Sequence, residues 1–137
     1  MREPVMAGES QLKLRCPAQS QYVALVRHAL GAFLRALEFE GESLDDVTTA
    51  AGEALANIVE HAYGCSSTAA ECFFELRARV DRKGTLCVDV SDNGSFIERR
   101  PLPGRGFGLR IIRAVAGKLT IDTSGGTCVR MTFNGKR

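Results

Sequence analysis

Apolar and polar residues recur along the chain with two different periods, and these periods predict where helices and strands lie. Apolar residues recur every three or four positions in three segments, which indicates amphipathic helices with one apolar stripe each. These helices are predicted over 19–37, 43–64 and 107–116. Apolar and polar residues alternate singly in five other segments, as in strands with one buried face. These strands are predicted over 10–16, 72–80, 86–90, 119–123 and 129–133.

Two pairs of these strands are close enough in sequence to form hairpins. Turn residues at 81–84 join one pair, and turn residues at 124–126 join the other. Helices and strands that each bury one face pack as two layers. The pattern therefore predicts an α+β fold, a two-layer sandwich with a mostly antiparallel five-stranded sheet and about three helices on one face. Residues 10–137 are predicted to form this single domain, after a flexible N-terminus at 1–9.

Composition and charge limit the classes of partner. The chain has 137 residues, of which 45% are hydrophobic and 25% charged, as is typical of a globular domain. Lys and Arg number 18 against 16 Asp and Glu, so the net charge of +2 gives no reason to expect nucleic acid as a partner. No apolar run reaches membrane length, so no membrane partner is expected. The five cysteines form no C-x-x-C pair, which favours small buried thiols in a reducing cytoplasm over metal ligands.

The strand that reaches Asp92 leads into two glycine clusters, a layout typical of phosphate-binding loops. A carboxylate at Asp92 can accept a hydrogen bond from an exocyclic amine such as that of adenine, while Gly94 lets a flat ring approach the backbone. Backbone N–H groups at the start of the next helix suit polyphosphate. The glycines that open it are Gly104, Gly106 and Gly108. Arg105 and the segment between the clusters predict a lid, although an ordinary turn and a flexible loop explain these residues too.

The second helix carries two polar side chains one turn apart, Glu53 and Asn57, on the face that its apolar stripe does not need. An amide oxygen is a hard ligand for magnesium, and a carboxylate can polarise a water or a hydroxyl. The pair therefore predicts magnesium chemistry. A plain polar helix face explains the same two residues equally well.

Four motifs in this order resemble the Bergerat-type ATPase fold of the GHKL superfamily, which includes histidine kinases, gyrase and MutL. They are Glu53-x-x-x-Asn57, Asp92-x-Gly94, Gly104-x-Gly106-x-Gly108 and Gly125-Gly126-Thr127. Within that superfamily, the chain from about 12 to 133 is similar to the small anti-sigma factor serine/threonine kinases. The segments EALANIVEHAYG and GRGFGLRIIRAVAGKLTID carry the similarity.

The resemblance implies ATP and Mg²⁺ as cofactors and gives each motif a role. Asn57 would coordinate magnesium bridging the phosphates, and Glu53 would be the general base or position the attacking hydroxyl. Asp92 would receive the adenine amine, Gly94 would give the base room, and Thr127 would help hold the adenine pocket.

The glycine cluster and the lid have implied roles as well. The residues implied as lid hinge and phosphate contacts are Gly104, Gly106 and Gly108. Arg105 is our candidate for sensing the γ-phosphate, since a guanidinium in a lid can stabilise transferred charge.

The resemblance also implies a partner-switching function. The expected protein is a cytoplasmic ATP-dependent serine/threonine kinase that phosphorylates a STAS-domain anti-anti-sigma factor and sequesters a sigma factor, and a homodimer is expected. Two alternatives stay open: a non-catalytic ATP-binding module, and a switch kinase of the same family that activates a phosphatase. The presence of both Glu53 and Asn57 favours catalysis over binding alone, while nothing in the motifs distinguishes the two kinases.

Overall fold

The computed structural model describes residues 10–62, 72–92, 112–122 and 126–134. Two long helices and five strands are seen. In order they are β1 (Ser10–Pro17), α1 (Ser20–Ala36), α2 (Gly41–Ala62), β2 (Phe73–Val80), β3 (Leu86–Asp92), β4 (Lys118–Asp122) and β5 (Cys128–Phe133). Residues 112–115 are also helical, within the third predicted helix. The predicted order of elements is confirmed.

The five strands form one sheet in the order β1-β2-β3-β5-β4, and all four pairings are antiparallel. β2 and β3 pair as predicted, and so do β4 and β5. β1 lies at one edge, as its alternation and Pro17 indicated. The pairing of β3 with β5 joins strands that are far apart in sequence, and it places Ser91 opposite Cys128. This pairing brings the end of β3 beside the start of β5.

The core lies between the helices and one face of the sheet. Alternate residues of the strands are fully buried on this face: Phe74, Leu76, Val88, Val90 and Met131. The helices contribute Val26, Leu30, Leu34, Leu55 and Ile58. Burying each such side chain stabilises the fold by roughly 1.5–3 kcal/mol. α1 packs against β1 and α2, and α2 packs against β3, which confirms the two-layer α+β sandwich.

Two details differ from the sequence predictions. α2 begins at Gly41, before the predicted start at Ser43, whose hydroxyl donates a hydrogen bond to the Glu40 carbonyl at 3.1 Å. Cys72 is disulfide-bonded, so the prediction of a buried thiol is wrong there, whereas Cys16 is a buried free thiol. In the described ranges, no helix combines the length and apolar character needed to cross a membrane.

Candidate nucleotide site

α2 presents the two polar residues predicted to carry the chemistry, Glu53 and Asn57. Both are half-buried and lie one turn apart. The opposite side of the helix is fixed in the core by Ala51, Leu55 and Ile58, each fully buried. The directions of Glu53 and Asn57 therefore follow from core packing of a long helix, and not from a loop.

A glycine next to Glu53 accommodates a side chain from the neighbouring helix. A Cβ at Gly52 would lie 2.9 Å from Cδ and 3.0 Å from Nε of Arg27 in α1. Carbon atoms normally approach to about 3.5–4.0 Å, so only glycine leaves room for the arginine stem here. Arg27 thus lies against the α2 backbone at Gly52, the residue before Glu53. This contact could not be predicted from the sequence because the two residues belong to different helices.

Asp92 and Thr127 meet where β3 ends and β5 begins. The Asp92 N–H donates to the Thr127 carbonyl at 3.0 Å, and the Thr127 N–H donates to Asp92 Oδ1 at 3.2 Å. Thr127 is only 5% exposed, and Asp92 Oδ2 is shielded from solvent. The carboxylate predicted to receive adenine is therefore held at the end of a central strand by the backbone of Thr127.

Gly126 directs the chain into this pairing. Its φ is +118°, a conformation that favours glycine over residues with a Cβ. It is buried beside Thr127. The backbone conformation at this position thus explains why the motif before the last strand has a glycine at Gly126.

The predicted site residues fall into two groups. Asp92 and Thr127 are brought together, and Glu53 and Asn57 lie on α2, which packs against the strand that carries Asp92. The others lie outside the described residues and stay predictions: Gly94, Gly104, Arg105, Gly106 and Gly108.

The residues present fit a magnesium ion that arrives with a nucleotide. In the described ranges, no group of three or more His, Cys, Asp or Glu side chains could hold a metal. Magnesium typically keeps several waters and binds through one or two protein ligands plus substrate phosphates. A single half-buried amide oxygen at Asn57 matches that mode of binding.

An apolar recess opens between α1 and α2 beside this face. Its volume is about 370 Å³, and it is lined by Ser20, Val23, Ala56, Val59 and Glu60. On the same helix, Ala56 lies about one turn and Glu60 about two turns from Glu53, so both are on its side of α2. The recess therefore reaches the side of α2 that carries the candidate base.

A charge cluster that was not predicted from the sequence lies on the opposite face of the sheet. Arg130 donates from Nε and Nη2 to the two carboxylate oxygens of Asp89, at 2.7 and 3.1 Å. Arg79 Nη2 lies 3.7 Å from Asp89 Oδ2. Hydrogen bonding to Asp89 raises the pKa of Arg130 above its ordinary range. Alternation places Asp89 on this face, but only strand register identifies its partners.

A model of the histidine kinase-like ATPase domain matches residues 16–133. The chain therefore belongs to the histidine kinase-like ATPase family, and the fold implied by the resemblance is confirmed. Curated relatives bear the name serine-protein kinase RsbW. The protein from Bacillus velezensis is 23% identical, and the match covers 92% of this chain and 88% of the relative. Those from Bacillus mycoides and Bacillus cereus are 27% and 28% identical, and each match covers 93% of this chain and 87% of the relative.

Solved structures share the fold. The RsbU and RsbW domains of Rv1364c from Mycobacterium tuberculosis superpose with a TM-score of 0.73 at 22% identity over 93% of this chain, which spans 32% of that larger one. The SiaB-SiaC complex from Pseudomonas aeruginosa gives 0.69 at 17% identity, covering 89% of this chain and 88% of that one. A histidine kinase domain from Erythrobacter litoralis gives 0.52 at 18% identity, covering 86% and 61%.

Proposed function

We propose that the chain is an ATP-dependent serine/threonine kinase that phosphorylates a STAS-domain anti-anti-sigma factor and sequesters a sigma factor. The observation that carries the proposal is the pair Glu53 and Asn57, half-buried one turn apart on α2 of a histidine kinase-like ATPase domain. Relatives named serine-protein kinase support transfer to a protein hydroxyl.

In this proposal the nucleotide base lies at the end of β3. Asp92 accepts a hydrogen bond from the adenine amine, and Gly94 leaves room for the ring. Thr127 keeps the carboxylate in position, which its backbone hydrogen bond to Asp92 Oδ1 supports. Phosphate contacts come from backbone N–H groups at the helix start. The glycines proposed there are Gly104, Gly106 and Gly108, and Arg105 faces the γ-phosphate from the lid.

Phosphoryl transfer in this proposal is a single displacement. The substrate hydroxyl oxygen bonds to the γ-phosphorus, the bond from phosphorus to the bridging oxygen breaks, and ADP leaves. Glu53 orients the hydroxyl and accepts its proton. Asn57 would hold Mg²⁺, which when bound neutralises charge on the phosphates. Positioning and charge stabilisation supply most of the rate enhancement in such reactions.

The apolar recess beside Glu53 supports a protein substrate. A recess lined by Val23, Ala56 and Val59 can bury an apolar side chain that neighbours the phosphoacceptor. Phosphorylation then adds a dianion to the antagonist's docking surface, so the antagonist dissociates and the kinase is free to hold sigma. A homodimer belongs to the same proposal.

The test is phosphate transfer by the purified chain. It is incubated with magnesium, γ-labelled ATP and each STAS-domain protein of the same organism. We expect label on serine or threonine of one of them. Glu53→Gln should lower the rate at least about 100-fold, as loss of a general base does, with ATP affinity nearly unchanged. The matched control is Glu42→Gln, an exposed acid in the first turn of the same helix, which should transfer normally.

Two results would overturn the proposal as a whole, and a third would change its partner. Transfer that survives Glu53→Gln would remove the assigned base. Tight ATP binding without label on any partner would favour the non-catalytic module. If one STAS protein is labelled but the chain binds no sigma factor, the switch kinase that activates a phosphatase replaces the anti-sigma assignment.

A further inference from the structure

The sheet face opposite the helices carries charges in ordered rows. Register places outward-pointing residues of adjacent strands side by side. The central row is Lys13, Arg77, Asp89, Arg130 and Thr120. The flanking rows are Arg15, Glu75, Ser91, Cys128 and Asp122, and Gln11, Arg79, Cys87, Thr132 and Lys118. We call these fifteen residues the open sheet face.

Positive charge is concentrated on the open sheet face. It holds six basic and three acidic side chains, a net charge of +3, whereas the whole chain has a net charge of +2. The rest of the molecule is therefore slightly acidic. The balanced composition of the chain conceals this separation of charge.

The acids at the centre of the face already interact with its own cations. Asp89, only 12% exposed, is held by Arg130 at 2.7 Å and Arg79 at 3.7 Å. Glu75 pairs with Lys13 at 3.4 Å. Arg77 is exposed and has no ion-pair partner within the described part of the chain. Lys13 and Arg130 remain 58% and 55% exposed despite their ion pairs. Exposed positive charge is thus left over on this face.

A cavity of about 420 Å³ adjoins one corner of the open sheet face. Arg79 lines it, together with Gln11, Thr85 and Cys87. The Arg79 Nε atom is buried and has no hydrogen-bond acceptor among the described residues. Arg79 therefore borders the open volume of this cavity as well as contacting Asp89.

We propose that the open sheet face binds an acidic surface of a partner protein. Arginines fixed in place, such as Arg130 against Asp89, are well suited to bidentate contacts with carboxylates. A second copy docked face to face would bring two surfaces of like charge together, which disfavours self-association here. Acids interspersed among the cations would repel a continuous phosphate backbone, so discrete carboxylates of a folded protein match the face better than nucleic acid does.

The proposal is tested with a fluorescein-labelled peptide of about ten glutamates and the full chain, followed by anisotropy at low and at physiological salt. The face variant is Lys13→Gln/Arg77→Gln. The matched control is Arg35→Gln/Arg113→Gln, which removes the same charge at two exposed positions outside the sheet. We expect the face variant to bind at least about tenfold more weakly and with less salt dependence, and the control to change less than about twofold. Thermal unfolding of both variants verifies that they fold.

Three outcomes would overturn the proposal. Equal weakening in the face variant and the control would mean that only net charge matters. Tighter binding to a duplex of about 20 base pairs, lost in the face variant, would assign the face to nucleic acid. Sedimentation that shows a dimer disrupted only in the face variant would make it a contact between copies. None of these results depends on kinase activity.

Discussion

Glu38 adopts a left-handed backbone conformation, with φ of 73°, where α1 ends. Its N–H donates to the Arg35 carbonyl at 2.9 Å, and the Phe39 N–H donates to the Leu34 carbonyl at 3.0 Å. These two bonds define a Schellman motif, and buried Phe39 and Leu34 provide its apolar residues. Glycine usually occupies the left-handed position because a Cβ is strained there by about 1–2 kcal/mol.

We therefore expect Glu38→Gly to raise the free energy of unfolding by about 0.5–1 kcal/mol, since relief of strain exceeds the added entropy of the unfolded chain. Urea denaturation measures the change. Glu40→Gly is the control, because Glu40 is exposed and has no positive φ, and it should bring no gain. A Glu38→Gly protein no more stable than the parent would contradict this account.

At the scale of elements, α1 and α2 meet where the Arg27 side chain packs against Gly52. Replacing a glycine inside a helix by alanine normally stabilises by about 0.8–1 kcal/mol. At Gly52 the new methyl group would displace the Arg27 stem, 2.9 Å away. We expect Gly52→Ala to give the full gain only when Arg27 is also alanine, so the double-mutant cycle should show a coupling of at least about 0.5 kcal/mol.

Gly31 provides the matched control for this cycle. A Cβ there would meet Arg35 Nη1 at 3.5 Å, an ordinary van der Waals distance. The cycle of Gly31→Ala with Arg35→Ala should therefore show a coupling close to zero in urea denaturation. Equal coupling in the two cycles would mean that the close approach of Arg27 has no energetic effect.

Elements were predictable from the sequence where their signal is local. The spacing of apolar residues in α2 identified the helix and its polar side, which carries Glu53 and Asn57. Contacts between distant segments were not predictable in this way. The hydrogen bond from Thr127 to Asp92 spans 35 positions, and its geometry depends on β5 pairing with β3 and not with another strand. The resemblance named both residues, while the register shows how one holds the other.

At the scale of the whole molecule, the distribution of charge over the surface was also not predictable from the sequence. A net charge of +2 gave no reason to expect nucleic acid as a partner. Alternation predicts that Arg77 and Asp89 each point outward from their strands. The net charge of the whole face can be added up only when the order of the five strands is known. The order places β3 at the centre, where Asp89 can contact arginines from both neighbours. Composition therefore described the average surface and missed its asymmetry.

Because of the free thiols, the stability of the whole molecule varies with pH in the alkaline range. The pKa values of Cys16, Cys87 and Cys128 lie above the ordinary value of 9.0, chiefly because burial disfavours the thiolate. The unfolded chain then loses these protons at lower pH than the folded one. The contribution of these protonated thiols to the free energy of unfolding is complete below pH 9.0. It is lost as the pH rises through the thiol pKa values of the folded chain.

We expect the free energy of unfolding to fall less steeply above that pH in the variant Cys16→Ala/Cys87→Ser/Cys128→Ser than in the parent chain. Urea denaturation at pH values on both sides of 9.0, without oxygen, measures the two slopes. All other side chains, Cys72 included, are the same in both proteins, so the difference between the slopes isolates the three thiols. Parallel slopes would show that burial does not protect these thiols from ionisation.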